Sequence, residues 1–248
     1  MILAFDTATP STAVAVLAPD GPAVERRDDP APGERPRHAE RLLPLAEAAL
    51  AGAGATWEDV RRLAVGVGPG GFTGLRLGIA TARALAQGRG LPVVGVSSLE
   101  ALAAGADAVL GGASASGAGA ETVLGGAAAS AAAAGPATIA AVIDARRGEV
   151  FAAAWRDALP VLEPAALAPE ALAARLPASS VAVGDGAVRF REQLERAGVA
   201  VPADGSPAHR LSALAVARLA QGREPADRDA LLPDYRREPD AVPPKLHL

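Results

Sequence analysis

Near the N-terminus, Asp6-Thr7-Ala8-Thr9-Pro10-Ser11-Thr12 lies between two apolar runs, Ile2 to Phe5 and Ala13 to Leu17. In such a turn Asp6 can hold a Mg²⁺-bound water while Thr7 and Thr9 contact phosphate. Asp, Thr, Pro and Ser are equally the residues of an ordinary hairpin turn, so both readings stand at this point. A second candidate is Gly68-Pro69-Gly70-Gly71-Phe72-Thr73-Gly74, which follows the strand-like run Leu63 to Val67 and opens a helical pattern. Its glycines permit positive φ and close backbone approach, and Thr73 is placed to cap the helix. The loop can hold an anion or can simply be compact. It lacks the Gly-Lys-Ser/Thr ending of a P-loop.

Further along, Asp144-Ala145-Arg146-Arg147-Gly148 forms a charged turn between strand-like runs, Thr138 to Ile143 and Glu149 to Trp155. A carboxylate and two bulky arginines stand where a phosphate turn needs bare backbone amides. Gly184-Asp185-Gly186 precedes another helical pattern and is weak evidence for a nucleoside contact. No metal constellation is legible: His38, His209 and His247 are far apart, cysteine is absent, and no histidine pair falls at i, i+4. No serine sits in a Gly-x-Ser-x-Gly elbow either.

These turns need elements to hold them. The pattern predicts a hairpin at the N-terminus with a third strand near Ala23 to Arg27. It then predicts a helix from Arg37 or His38 to about Ala51, interrupted by Pro44, and a helical turn at Thr56 to Asp59. The strand Leu63 to Val67, the helix Gly74 to Ala86, the strand Leu91 to Val96 and a helix opened by Ser97 or Ser98 follow. The helix from Gly74 has only Arg76, Thr81 and Arg83 as polar side chains, so it must be covered on more than one side. Gly74, Gly78, Ala82 and Ala86 form a ridge of small residues suited to a close neighbour. Ala103 to Gly135 is almost wholly Ala, Gly and Ser and reads as a low-complexity connector, flexible or loosely helical where alanine dominates. Beyond it come the second hairpin, a short helix Pro169 to Leu176, the strand Val181 to Val183 and helices at Val188 to Ala197 and Ser206 to Gln221. An extended tail carries Tyr235.

A chain of 248 residues, half of them apolar, can build one large or two small α/β domains. Its net charge of −4 provides no global field for non-specific nucleic-acid binding. Met1 leads directly into a strand-like run without a basic segment or a long apolar stretch, which predicts a cytoplasmic, soluble protein with no membrane partner. The two hairpins, each followed by strands and helices, predict a duplicated α/β architecture with a cleft between halves. The expected divisions are 1–104 for the first half, 105–137 for the connector, 138–232 for the second half, whose last helix can pack back on the first, and 233–248 for the tail.

Four stretches resemble the TsaB (YeaZ) family. They are Asp6 to Val16, His38-Ala39-Glu40-Arg41-Leu42-Leu43-Pro44, Gly68 to Gly78, and Asp144 to Phe151; Pro233-Asp234-Tyr235-Arg236-Arg237 resembles that family's C-terminal Pro-x-Tyr-x-Arg element. The resemblance implies an actin/Hsp70/sugar-kinase-like (ASKHA) fold and a non-catalytic dimerisation subunit that needs no metal or cofactor. Its implied partner is the catalytic paralogue TsaD, which, with the ATPase TsaE, serves N6-threonylcarbamoylation of adenosine 37 in tRNAs reading ANN codons. tRNA is then reached only through the complex. TsaD carries an Asn-His-x-x-x-His metal stretch where this chain has Ser98 and Leu102 at the histidine positions. The resemblance further implies pairing through the two helices of the first half, as a heterodimer or a homodimer, with Leu42, Leu45, Leu75, Gly78 and Ala82 near the interface centre. Asp6, Thr7 and Thr9 are then vestigial nucleotide contacts. The competing reading is an active ASKHA-fold transferase or kinase using Asp6.

Overall fold

The computed structural model describes residues 1–116 and 138–237, with 20, 32 and 178 excepted. Residues 117–137 of the expected connector and 238–248 of the expected tail therefore lie outside the described residues.

The first half opens with β1 (Ile2–Asp6), β2 (Thr12–Leu17) and β3 (Ala23–Asp28), an antiparallel meander. After α1 (His38–Gly52), β4 (Arg62–Gly66) pairs in parallel with β1 on its other side. After α2 (Phe72–Arg89), β5 (Val93–Val96) extends the sheet, giving the order β3-β2-β1-β4-β5. The second half repeats this plan. The strands β6 (Thr138–Arg146), β7 (Glu149–Arg156) and β8 (Leu159–Leu167) make a second meander. After α4 (Pro169–Ala173), β9 (Ser180–Val183) joins β6 in parallel. Such a repeated meander and parallel crossover is the duplicated arrangement of the ASKHA fold.

Alternation along the strands decides what lies on each face. Leu3, Phe5, Leu63 and Val65 face α1 and α2, whereas Ala4 and Ala64 face a central layer. That layer contains α3 (Ser98–Ser116) and α7 (Ala213–Gln221). The helix α7 packs on β1 and β2 of the first sheet, and α3 packs on β6 and β7 of the second. Each half thus lends a helix to the other's sheet, and one apolar cluster from Ala4 to Ile143 and Val216 runs through both. The outer face of the second sheet, with Val142 and Val150, is covered by α4 and by α6 (Arg191–Arg196), which follows α5 (Asp185–Arg189).

Several elements differ from the sequence expectation. The α3 helix continues through Ser116, past the point where composition places the connector's start. Its apolar face uses Leu99, Leu102, Ala106 and Leu110, and alanine lets the helix lie close to the second sheet and to α7. The strand β8 was not anticipated, because Pro160 and Pro164 argue against a strand; it is an edge strand, where missing N–H groups are tolerated. The helix expected at Val188 to Ala197 breaks at Phe190 into α5 and α6. The last helix is shorter than expected and starts after Ser212, whose hydroxyl accepts from the Ala215 amide at 3.2 Å. Among the described residues no helix is long and apolar enough to cross a membrane.

Candidate functional site

A cleft of about 580 Å³ separates the halves. Thr7 to Pro10, His38 and Gly70 to Gly74 line it from the first half, and Ile143, Asp144, Arg146 and Asp185 from the second. The sequence therefore identified both walls, although the chemistry on them differs from what the turn composition allows.

Asp6 ends β1 and is 2% exposed. Its Oδ1 accepts from the Ala8 amide at 2.7 Å, and its Oδ2 accepts from the Ser98 hydroxyl at 2.6 Å. The Ser98 Oγ in turn accepts from the Gly68 amide at 3.2 Å, and the Ser98 amide donates to the Gly68 carbonyl at 2.8 Å. A Cβ on Gly66 would lie 1.7 Å from Asp6 Oδ2, so glycine there is what makes room for the carboxylate. Burial pushes the Asp6 carboxyl up to about 6, opposed by the Ser98 hydroxyl, the Ala8 amide and the distant Arg27 charge. Asp6 does not line the cleft; it ties the first turn to the start of α3. Ser97 occupies the cap position of that helix, leaving Ser98 free for this tie.

Thr7 borders the cleft, but its hydroxyl donates to the Gly74 carbonyl at 2.7 Å. Thr9 alone of the three expected contacts faces the cleft with no side-chain hydrogen bond among the described residues. His38, a residue that turn chemistry did not single out, lines the same wall with its Nδ1 2.8 Å from the Thr12 hydroxyl. Burial holds its imidazole below the ordinary range, so the ring is neutral near pH 7.

Across the cleft, Asp144 is engaged by cations of its own half. Its Oδ2 accepts from Arg189 Nη1 at 2.7 Å and lies 3.4 Å from Arg146 Nη1, while Oδ1 accepts from the Arg146 amide at 2.9 Å. The Asp144 amide donates to Asp185 Oδ1 at 3.1 Å. Burial and the charge of Asp144 raise the Asp185 carboxyl above its usual range. A phosphate on this wall would meet two carboxylates rather than free amides. Among the described residues no three His, Asp or Glu side chains gather as a metal site.

The five residues expected at a partner interface need correction. Leu42 (2% exposed), Leu45 (7%), Leu75 (1%), Ala82 (0%) and Gly78 are all buried inside the chain itself. Leu42, Leu45 and Ala82 belong to the core beneath α1 and α2. A Cβ on Gly78 would lie 2.4 Å from Thr7 Oγ1, and one on Gly74 would lie 2.0 Å from the Thr7 carbonyl oxygen. The ridge of small residues thus admits the first turn of the same half and not a partner helix. Thr73 was expected to cap α2, yet the helix begins at Phe72 with Gly71 in extended backbone at the cap. Among the residues the two helices present to solvent are Ala39, Glu40, Leu43 (45% exposed), Pro44, Glu47 and Ala48 on α1, and Phe72 (56%), Thr73, Arg76, Ala80, Ala84 and Gln87 on α2.

Comparison with known proteins places this geometry in a family. The family model described as TsaD, tRNA N6-adenosine threonylcarbamoyltransferase, matches residues 34–116. An uncharacterized Mycobacterium tuberculosis protein is 45% identical over 106 residues, 41% of this chain and 47% of that protein. The Escherichia coli tRNA threonylcarbamoyladenosine biosynthesis protein TsaB is 37% identical over 155 residues, 62% of this chain and 54% of that one. The chain thus spans about half the length of the curated relatives it matches. The match to solved structures is broader. A Pseudomonas aeruginosa protein described as similar to peptidase YEAZ superposes with a TM-score of 0.72 at 30% identity, over 95% of this chain and 99% of that one. YeaZ from Pseudomonas aeruginosa gives 0.70 at 29% identity, over 94% and 98%. With the duplicated sheets, the cleft between them and near-complete structural coverage together, the chain belongs to the TsaB (YeaZ) family.

Proposed function

We propose that this chain is a non-catalytic, partner-holding subunit in the N6-threonylcarbamoylation of adenosine 37 of tRNAs reading ANN codons. Its partner is the catalytic paralogue TsaD, and the ATPase TsaE joins the pair. The observation that carries the reading is the environment of Asp6. Asp6, the carboxylate that the sequence offers for a magnesium-bound water, is turned inward onto Ser98 and the Ala8 amide, outside the cleft lining. Two further features support it. Ser98 and Leu102, at the positions where TsaD carries metal-binding histidines, are both buried in the core. Opposite, Asp144 is saturated by Arg189 and Arg146.

Partner holding then falls to the outward surfaces of α1 and α2. Leu43 supplies an apolar anchor on one helix, and Ala80 and Ala84 leave the other low enough for close approach by a partner helix. A stable pair of ordinary size buries about 1,600 Å² in total, which a two-helix face can provide.

The test is light-scattering chromatography of the chain alone and mixed with TsaD of its own organism, followed by a tRNA modification assay on each sample supplied with TsaE, ATP and threonylcarbamoyl-adenylate as donor. The expected result is a discrete heterodimer that modifies tRNA and no turnover by the chain alone. The mass of the chain alone decides whether it also pairs with a second copy. Unaided turnover of a nucleotide or of tRNA by the purified chain would refute the non-catalytic reading.

A further inference from the structure

The central helices α3 and α7 join the two halves on one side of the cleft. On the other side they are joined by the segment that follows α7. The Ala226 amide donates to the Val93 carbonyl at 3.0 Å, extending the edge of the first sheet. Leu231 is buried in the first-half core, where the absence of a side chain at Gly95 makes room for it. The Asp234 amide then donates to the Val67 carbonyl at 2.8 Å, immediately before the loop that leads into α2. The Tyr235 hydroxyl accepts from Arg76 Nε at 2.8 Å, and its ring stacks on Phe72 with centroids 5.6 Å apart. Each of these contacts is with the first half.

The next two residues cross to the second half. Arg236 Nη1 donates to the Pro164 carbonyl of β8 at 3.1 Å. Arg237 Nη1 donates to the Ala145 carbonyl at 3.0 Å, and its Nη2 lies 3.5 Å from Glu149 Oε2. Ala145 and Glu149 belong to the β6–β7 hairpin whose Asp144 and Arg146 line the cleft, and Phe72 lines its opposite wall.

We infer that residues 231–237 are a latch across the cleft mouth, which fixes the spacing between the β6–β7 turn and α2 and so prevents the halves from opening about α3 and α7. The two ends of the latch are unequal. Its first-half end is held by a buried leucine, a backbone hydrogen bond and a ring stack. Its second-half end is held by two partly exposed arginines acting mainly on backbone carbonyls. The second-half end therefore lets go first, and the strap stays on α2 when it does. Hinge motion between two lobes needs only such a tie to be broken at one end.

The absence of cysteine makes a spin-label test direct. Glu47→Cys on the exposed side of α1 and Glu192→Cys on α6 give one label on each half. In the otherwise unchanged chain, double electron–electron resonance is expected to give one narrow distance distribution. With Arg236→Ala and Arg237→Ala added, the distribution is expected to broaden and gain a longer component. A distribution as narrow as before would overturn the latch. Hydrogen exchange on the same variant, without labels, gives a second readout. Amides of residues 143–150 should exchange at least about tenfold faster while those of β1 and β4 stay unchanged. A uniform rise across both sheets would overturn it as well, because the arginines would then be general stabilisers.

Discussion

Replacing Asp6 with asparagine separates a structural carboxylate from a functional one. The carboxyl is raised from its ordinary 3.8 to about 6, so the folded chain binds this proton more tightly than the unfolded chain does. Its contribution to stability is fully present below about pH 4, is lost as the pH rises through about 6, and stays absent above that. A rise of roughly two units corresponds to about 3 kcal/mol at 1.36 kcal/mol per unit, which is the most that removing the charge can return at pH 8. Asparagine keeps the acceptor for the Ala8 amide. It turns the contact with Ser98 around, however, because the hydroxyl now receives hydrogen bonds from both the new amide and Gly68 and loses its own acceptor. That rearrangement costs about 1–3 kcal/mol. Asp6→Asn is therefore expected to be near neutral at pH 8 and clearly less stable than the parent at pH 4.5. Urea unfolding of both chains at pH 4.5, 6 and 7.5 measures this, and the difference between the chains cancels groups that titrate alike in both. A variant destabilised by several kcal/mol at pH 7.5, by the same amount at every pH, would refute the reasoning. It would mean that Asp6 is held as an anion.

Three further substitutions probe the same region. Gly78→Ala places a Cβ 2.4 Å from Thr7 Oγ1, and overpacking of this kind costs about 1–3 kcal/mol, read as a lower urea midpoint. Ser98→Ala leaves Asp6 Oδ2 and the Gly68 amide unmet, with an expected loss of about 1–3 kcal/mol in urea and a further rise in the Asp6 carboxyl. Ala80→Glu lies on the exposed side of α2 and should change stability by no more than about 0.5 kcal/mol. The same variant should abolish the light-scattering heterodimer, and a normal heterodimer from it would remove α2 from the proposed docking face.

Strand and helix order was legible wherever apolar periodicity was strong, as in Leu63 to Val67 and the helix after it. The second hairpin was legible from its charged turn, where Arg147 and Gly148 adopt left-handed backbone suited to a two-residue hairpin loop. Other features were hidden for definite reasons. Loose helix was open for the alanine-rich stretch, but an unbroken α3 to Ser116 could not be read, because Ala and Gly supply no amphipathic contrast. The tie between Asp6 and Ser98 spans 92 residues, and only the pairing of β1 with β4 and of β4 with β5 brings them together. The direction of the Gly74, Gly78 and Ala82 ridge was ambiguous for a similar reason. Small residues announce a close neighbour without saying whether it is a foreign helix or the turn at Thr7.

The edges of the two sheets bear on how a partner can dock. A chain can pair with another by adding a strand to an open edge, and proteins that avoid this blunt their edges. The β3 edge carries Glu25, Arg26 and Arg27 in succession. The β5 edge is met by Ala226, and the β9 edge by Ala200, each through a bridge to the neighbouring strand. The β8 edge has Pro160 and Pro164, which have no N–H to offer, and the Pro164 carbonyl is already taken by Arg236. Every sheet edge among the described residues is thus charged, covered or interrupted. Strand addition is disfavoured on both halves, which leaves the outer helix surfaces for the assembly proposed above. On the first half that surface is the one formed by Leu43, Ala80 and Ala84, so the blunted edges and the exposed helix face support the same docking mode from separate observations.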